Sequence, residues 1–217
     1  MPTTPYRATL RSDSPLPTTL WFPTSDTSDA IPAPGAVLPT WAIEKIRAEF
    51  THRPGHLPQG LLRLNIGDSG PGVDARIPCA AHPDGDAAPG EVCLTPVILA
   101  ELHPASLPAP NDALTSSPVP GALDDGWPGF FHRVHRLLGA DGLLLIATRQ
   151  RREHGRLTDP LGLLIAAART AGFRYLQHIV IAHANPSGNQ LVPAPLPDAD
   201  PGVTHSDLIV LTAIDHT

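Results

Sequence analysis

Residues 129–184 decide the fold class: GFFHRVHRLLGADGLLLIATRQRREHGRLTDPLGLLIAAARTAGFRYLQHIVIAHA. The start of this stretch, with Trp127 just before it, places apolar residues on one face at helical spacing. Residues 143–148, LLLIAT, form a continuous apolar run of strand length, as expected for a strand covered on both faces. A helix over 160–170 and a strand over 173–184 are predicted to follow. Alternation of this kind favours an α/β layered sheet.

The segments that join these elements are less regular. Asp159 is expected to cap the second helix, with Pro160 at its first position. Residues 149–157 are predicted to be a polar loop, and the Pro-rich residues 185–203 a second loop. The last strand is predicted over 207–214, DLIVLTAI. Because no helix separates the last two strands, they can pair antiparallel.

The first half of the chain predicts fewer elements. LPTWAIEKIRAEF, residues 38–50, has helical spacing, and Thr40 is its expected cap. LLRLNIG, residues 61–67, indicates a short strand. EVCLTPVIL, residues 91–99, indicates one more strand, which Pro96 would place at an edge of the sheet.

Composition divides the chain unevenly. It has 27 prolines in 217 residues, against about 11 at average usage, and most of them precede Phe130. We therefore predict a Pro/Thr/Ser-rich N-terminal arm over residues 1–35 and one α/β domain over residues 36–217. Trp21 and Phe22 are the residues expected to anchor the arm to the domain.

Charge and targeting signals narrow the class of protein. The net charge is -6, whereas a protein that holds DNA alone usually has a basic surface. The two cysteines, Cys79 and Cys93, suggest neither a zinc site nor a disulfide framework. The N-terminus lacks an apolar signal core, and the longest apolar runs are too short to span a bilayer. We expect a cytoplasmic protein with no membrane partner.

One basic cluster stands out, and it has two interpretations. The cluster follows the LLLIAT strand and consists of Arg149, Arg151, Arg152 and Arg156. It is either a solvated loop or a nucleic-acid contact that binds phosphates.

The ordered run from residue 129 to 184, with HSDLIVL from His205, resembles the bacterial, actinobacterial-type DNA amino-methyltransferase family. That family has a helix of the type FFRECRRVLRPGG before an apolar strand, a basic loop of the type RRGRLVDL, a helix ending in AGF, and a closing strand often written HEDVLVF. The resemblance covers about the last 90 residues well. It implies a Rossmann-like, S-adenosylmethionine-dependent methyltransferase fold, whose mostly parallel sheet ends in an antiparallel strand pair.

The family's cofactor motif is altered in this chain. The family carries a segment like D-P-F-x-G-S-G, whose glycines let the backbone approach S-adenosylmethionine. The matching segment here is LNIGDSGPG, residues 64–72, in which Asn65 replaces the expected acid. The resemblance assigns cofactor binding to four residues whose glycine spacing is out of register: Gly67, Asp68, Gly70 and Gly72.

The family's catalytic motif, S-P-P-Y or D-P-P-Y, is also degenerate. Its polar first residue accepts hydrogen bonds from the target amine, and its aromatic ring stacks on the flipped base. The matching residues are Ser116, Ser117, Pro118 and Val119. Val119 offers no ring, and a stacked base is worth about 1–3 kcal/mol. The resemblance therefore implies an inactive catalytic motif.

Three functions remain open on these grounds. The first is a degenerate DNA-methyltransferase-like protein that serves as a non-catalytic scaffold or regulatory subunit of a DNA modification or defence-type system. It would have a protein partner and reach DNA through that partner. The second is an active DNA cytosine or adenine amino-methyltransferase that uses S-adenosylmethionine. The third is a small-molecule or peptide-binding protein that reuses the cleft. An enzyme needs an open cleft at the carboxyl ends of the strands. The scaffold instead predicts a cleft filled by side chains or by the Pro-rich loops, and an exposed apolar patch around Trp21, Phe22 or Trp41 for a partner.

Two other groups of residues resemble known sites. GDSG, residues 67–70, and CAAH, residues 79–82, resemble segments of trypsin-like proteases, but their order along the chain is reversed. His132 and His135 lie at i and i+3 on a predicted helix and suggest a metal pair, yet no third ligand follows from spacing. We therefore predict no metal site.

Overall fold

The structure is a computed structural model, and it describes part of the chain. The described residues are 18–24, 30–52, 60–66, 79–84, 97–104, 126–138, 142–153, 155–188, 190–194, 196, 199 and 202–214. In chain order they form β1 (Thr18–Trp21), α1 (Thr40–Phe50), β2 (Leu61–Ile66), β3 (Cys79–Asp84), β4 (Val97–Leu102), α2 (Gly126–Leu137), β5 (Leu143–Thr148), β6 (Arg151–Glu153), β7 (Arg156–Thr158), α3 (Leu161–Thr170), β8 (Phe173–Ala182), β9 (Ala184–Ser187), β10 (Gln190–Pro193) and β11 (His205–Ala213).

One seven-stranded sheet organises the fold, in the order β1-β8-β11-β5-β4-β2-β3. The pairs β1–β8, β2–β4 and β4–β5 are parallel. β11 lies between β8 and β5 and is antiparallel to both, and β3 is antiparallel to β2. Five of the seven strands therefore point the same way. The predicted α/β class and the antiparallel pairing of the last two strands are confirmed.

The sheet is covered on both faces, which gives two hydrophobic cores. On one face, Phe131 and Val134 of α2 and Leu164 of α3 pack on alternate sheet residues such as Ile98 and Ile146. On the other face, residues of α1 pack on Val97, Leu99, Leu145 and their neighbours. Every residue of β5 is buried, as predicted from its unbroken apolar run. Among the described residues, α2 and α3 therefore cover one face of the sheet and α1 covers the other.

Two segments predicted as loops contain short hairpins. β6 and the first two residues of β7 lie within residues 149–157, and the two strands pair antiparallel around Gly155 at φ 80°. The Pro-rich segment includes β9 and β10, which pair antiparallel across Gly188 at φ 59°. Positive φ is accessible to glycine without steric cost, so each glycine permits a tight turn. The two loop predictions were therefore wrong. The sequence did not reveal these strands because they are too short to show a hydrophobic period.

The strand predicted at an edge lies in the centre of the sheet. β4 is flanked by β2 and β5, and all six of its residues are buried. Pro96, which lies outside the described residues, precedes the first residue of β4 in sequence. A proline before a strand removes no hydrogen bond from its ladder, so the edge prediction was wrong.

The two predicted helix caps differ in outcome. Thr40 is the first residue of α1 rather than its cap, because Pro39 holds the cap position, where no side chain caps the described backbone. For α3, the Asp159 Oδ1 accepts a hydrogen bond from the Leu161 N–H at 2.9 Å. Asp159 therefore bonds to the first turn of α3 as expected, although Pro160 holds the cap position.

Part of the predicted N-terminal arm belongs to the sheet. Residues 18–21 form β1, which pairs in parallel with β8 at the sheet edge. Trp21 is buried in the core and packs against Phe50, whereas Phe22 is exposed. Trp21 is thus an anchor, and Phe22 is not. Among the described residues, none of the helices has the length and apolar character needed to cross a membrane.

Candidate functional site

Polar residues collect where the carboxyl ends of the parallel strands meet. Open α/β sheets bind ligands outside this edge. Arg63 and Asn65 lie near the end of β2, and Glu101 and His103 lie at the end of β4. Asn65 is in register with Glu101 on the neighbouring strand. Alternation along β2 and β4 places Arg63, Asn65 and Glu101 on the face that carries α1.

Glu101 is a buried carboxylate at this edge, and both of its oxygens are bonded. Its Oε1 accepts a hydrogen bond from Arg63 Nη2 at 2.8 Å, and its Oε2 accepts one from the Leu38 N–H at 3.3 Å. The Glu101 side chain is 3% exposed, whereas that of Arg63 is 27% exposed. The ion pair therefore ties β2 to β4 and fixes the segment that leads into α1.

A cavity of about 480 Å³ opens beside this pair. Its wall combines the segment before α1 with the ends of β2 and β4: Pro34, Gly35, Ala36, Val37, Arg63, Asn65, Ile66, Glu101 and His103. A second cavity of about 310 Å³ lies against α1 and shares Ala36 and Arg63 with the first. Ligand pockets have volumes of roughly 300–1,000 Å³. Among the described residues, a cleft is therefore open at the carboxyl edge, as expected for an enzyme, whereas the scaffold hypothesis predicted a filled cleft.

A buried serine–histidine pair lies at the same edge, but the direction of its hydrogen bond does not suit catalysis. Ser206 Oγ lies 2.9 Å from His183 Nε2 and donates its proton to the Val37 carbonyl at 2.7 Å. A hydroxyl has one proton to donate, so His183 must donate to Ser206 rather than accept from it. The pair is therefore not a nucleophile with its general base, and it instead holds Val37 against β11.

On the opposite face, Asp207 forms a second buried polar cluster. Its Oδ1 accepts a hydrogen bond from His178 Nε2 at 2.8 Å and lies 3.7 Å from His205 Nε2. Asp207 Oδ2 and the Oγ1 of Thr148, its register partner on β5, have no hydrogen-bond partner among the described residues. Both atoms are buried, so they are inaccessible to a substrate in this conformation.

The histidine pair considered for metal does not form such a site. His132 is exposed, while the His135 ring packs edge-on against Phe173 at 5.2 Å and its Nε2 lies 3.2 Å from the Ile214 carbonyl oxygen. Within the described ranges there is no group of three histidine, cysteine or acidic residues that could hold a metal ion. His135 thus has a packing role at the end of α2.

The basic segment after β5 is not one exposed loop. Arg149 is 1% exposed, because the course of β5 carries it inward. Arg151 Nη1 donates a hydrogen bond to the Pro104 carbonyl at 3.1 Å, and Arg152 is exposed. The backbone of Arg156 lies in β7. A buried guanidinium is not available to a phosphate, so nucleic-acid contact remains a prediction only for the rest of the cluster.

The residues assigned by the methyltransferase motifs lie outside the described residues. They are Gly67, Asp68, Gly70 and Gly72 of the cofactor motif and Ser116, Ser117, Pro118 and Val119 of the catalytic motif. Asn65 and Ile66, which belong to the segment that matches the cofactor motif, line the larger cavity. Sequence reasoning missed Arg63 and Glu101, although each is a charged residue within a strand-length apolar run. Opposite charges in two buried strands were the available signal.

No family model matches the chain, and no curated protein matches it either.

Proposed function

We propose that this protein is a methyltransferase-like scaffold or regulatory subunit that does not transfer methyl groups and acts beside a protein partner in a DNA modification or defence-type system. The observation that carries the proposal is the engagement of Glu101. A group that accepts hydrogen bonds from a target amine must be accessible to the substrate. The Glu101 side chain is instead only 3% exposed, and its oxygens accept hydrogen bonds from Arg63 and from the Leu38 N–H.

The architecture supports a methyltransferase origin. Rossmann-like methyltransferases finish with an antiparallel strand pair on a mostly parallel sheet, and β8 and β11 form such a pair. β11 also contains the HSDLIVL segment on which part of the resemblance rests. Fold alone does not imply activity, because one fold carries many functions. The site therefore decides between scaffold and enzyme.

The described residues of the cleft do not fit S-adenosylmethionine well. This cofactor carries a cationic sulfonium, whereas the guanidinium of Arg63 lines the cavity. The negative charge of Glu101 is already paired with Arg63, so the pair leaves no surplus negative charge for the sulfonium. Asn65 stands where the family has an acid. These features support the loss of cofactor binding.

Calorimetric titration with S-adenosylmethionine and S-adenosylhomocysteine tests the proposal. We expect no binding at about 1 mM ligand, which corresponds to less than roughly 4 kcal/mol of binding free energy. Transfer of a labelled methyl group to DNA should likewise be undetectable. Micromolar binding would contradict the scaffold function and favour the second candidate, an active methyltransferase, for which the cavity at the ends of β2 and β4 is the supporting observation.

A matched pair of variants makes any positive result interpretable. Asn65→Trp places a large ring at the mouth of the cavity, whereas Asn185→Trp places the same ring on the exposed part of β9. Binding in the cleft would be lost in the first variant and kept in the second. Equal binding in both would show a ligand elsewhere on the protein.

A further inference from the structure

The hairpin formed by β9 and β10 leaves its second strand in contact with solvent. All four residues of β10, Gln190–Pro193, are exposed. Two of them are large and apolar, because Leu191 is 42% exposed and Val192 is 48% exposed. Successive side chains of a strand point to opposite faces, so Leu191 and Val192 cannot both lie against one surface of the domain. A two-stranded hairpin without further packing is only marginally stable in water.

The hydrogen-bond pattern shows which backbone groups of β10 point away from β9. The Ala194 N–H donates to the His183 carbonyl at 3.0 Å, and hydrogen-bonded pairs alternate with other pairs along an antiparallel ladder. Val192, two residues before Ala194, therefore bonds to β9, whereas Leu191, the register partner of Pro186, does not. The N–H and C=O of Leu191 therefore point to the outer edge of β10, which has a neighbouring strand on one side only within the described residues.

Proline limits how this outer edge can pair. By the same alternation, Pro193 also directs its backbone outward, but proline has no N–H to donate. Leu191 is thus the one residue of β10 that presents both a donor and an acceptor to a further strand. A second β10 strand that runs antiparallel meets this requirement, because each Leu191 N–H then donates to the carbonyl of the other Leu191.

The charge of the segment favours a second copy of the same chain. Residues 184–197, ANPSGNQLVPAPLP, contain no charged residue, whereas the whole chain has a net charge of -6. Two identical chains bring identical side chains together, and like charges directly opposite each other destabilise a strand pair. Edge strands that avoid such pairing often carry Lys or other charged side chains. Two copies can therefore meet along this segment without like-charge contacts within it.

We propose that two copies of this chain associate through their β10 strands, which pair antiparallel about a two-fold axis between the two Leu191 residues. The two hairpins then form one four-stranded sheet. The Leu191 side chains lie side by side on one face, and each Val192 lies opposite Gln190 of the partner subunit on the other face. A two-fold contact of this kind closes at the dimer. The interface is small, so we expect reversible association with a dissociation constant of about 10–100 µM.

Sedimentation equilibrium of the full chain from about 5 to 500 µM tests the proposal across the expected range. Leu191→Glu and Leu191→Lys each place like charges directly opposite each other at the two-fold axis. Because Leu191 is exposed, both variants should fold, which far-ultraviolet circular dichroism verifies. Each variant alone should associate at least about tenfold more weakly than the unchanged chain. An equimolar mixture of the two variants pairs Glu with Lys and should restore association.

The control is Leu163→Glu, which adds the same charge at a leucine of α3 that is 54% exposed and should leave association unchanged. A chain that stays monomeric up to about 500 µM would overturn the proposal. Association that Leu191→Glu does not weaken, or that Leu163→Glu weakens equally, would show that β10 is not the contact. A mixture of Leu191→Glu and Leu191→Lys that stays monomeric would overturn the register. None of these results depends on methyl transfer or on the cleft.

Discussion

Replacing Glu101 with alanine should destabilise the protein more than any exposed charge substitution. The change removes the partner of Arg63 Nη2 and of the Leu38 N–H in one step. Breaking a buried ion pair by deleting one member costs roughly 3–5 kcal/mol, because the remaining charge is left uncompensated.

The exposure of Arg63 and the burial of Leu38 determine where in this range the loss of unfolding free energy falls. The Arg63 side chain is 27% exposed, so water can partly replace the lost carboxylate. The Leu38 N–H, by contrast, belongs to a buried residue, and an unsatisfied buried donor costs about 1–3 kcal/mol. We therefore expect a loss of about 3 kcal/mol in the free energy of unfolding. Glu101→Gln should lose less, because its single amide oxygen can accept from one of the two donors.

Urea denaturation followed by far-ultraviolet circular dichroism measures the effect. With a denaturant dependence of about 2 kcal/mol per molar urea, the midpoint should fall by roughly 1.5 M. The control is Glu49→Ala, which removes an exposed i,i+4 partner of Lys45 at 3.5 Å and should cost less than about 0.5 kcal/mol. If Glu101→Ala shifted the midpoint no more than Glu49→Ala, the ion pair would not be what fixes the segment before α1.

Three further predictions concern the rest of the fold. Phe131→Ala should cost about 3–5 kcal/mol in unfolding free energy, because Phe131 is fully buried against Phe173. Its control, Leu137→Ala on the exposed side of α2, should change the unfolding free energy by less than about 0.5 kcal/mol. The urea midpoints of the two variants are compared, and equal losses would contradict the packing of Phe131. Asp159→Ala should cost about 1 kcal/mol through loss of the cap on α3, and Asp159→Asn should restore most of it; identical midpoints for both variants would exclude capping. Burial raises the pKa of Tyr175 above 10.0, so its stabilising contribution is complete below pH 10 and is lost as the pH rises through the folded value. Ultraviolet titration of a Tyr6→Phe variant, in which Tyr175 is the remaining tyrosine, should give a midpoint above that of the unfolded chain, and a midpoint at or below it would refute the burial.

Local periodicity predicted most of the described secondary structure. The amphipathic spacing around Phe131 and the unbroken run of β5 each report how many sides of an element are covered, which is a local property. The pairing of β11 with β8 followed from the lack of an intervening helix. The two predictions of helix caps had different outcomes. Asp159 accepts a hydrogen bond from the first turn of α3, whereas Thr40 lies inside α1.

Pairing between distant segments was not predictable in the same way. β3 joins β2 antiparallel, and β1 joins β8 in parallel across more than 150 residues of sequence. A four-residue strand carries too little pattern to choose a partner. The candidate site depends on the same kind of contact, because Arg63 and Glu101 are 38 residues apart in sequence and meet only when β2 and β4 are neighbours.

The segment before α1 links the stability of the fold to the properties of the cleft. Its Val37 carbonyl accepts from Ser206 and its Leu38 N–H donates to Glu101, so β11 and β4 both hold it against the carboxyl edge. The same segment forms one wall of the larger cavity. A ligand that binds this wall stabilises the folded state by mass action. Conversely, loosening the wall through Glu101→Ala should weaken ligand binding even though the Glu101 side chain is only 3% exposed. The buried carboxylate thus acts on the cleft through the backbone it positions.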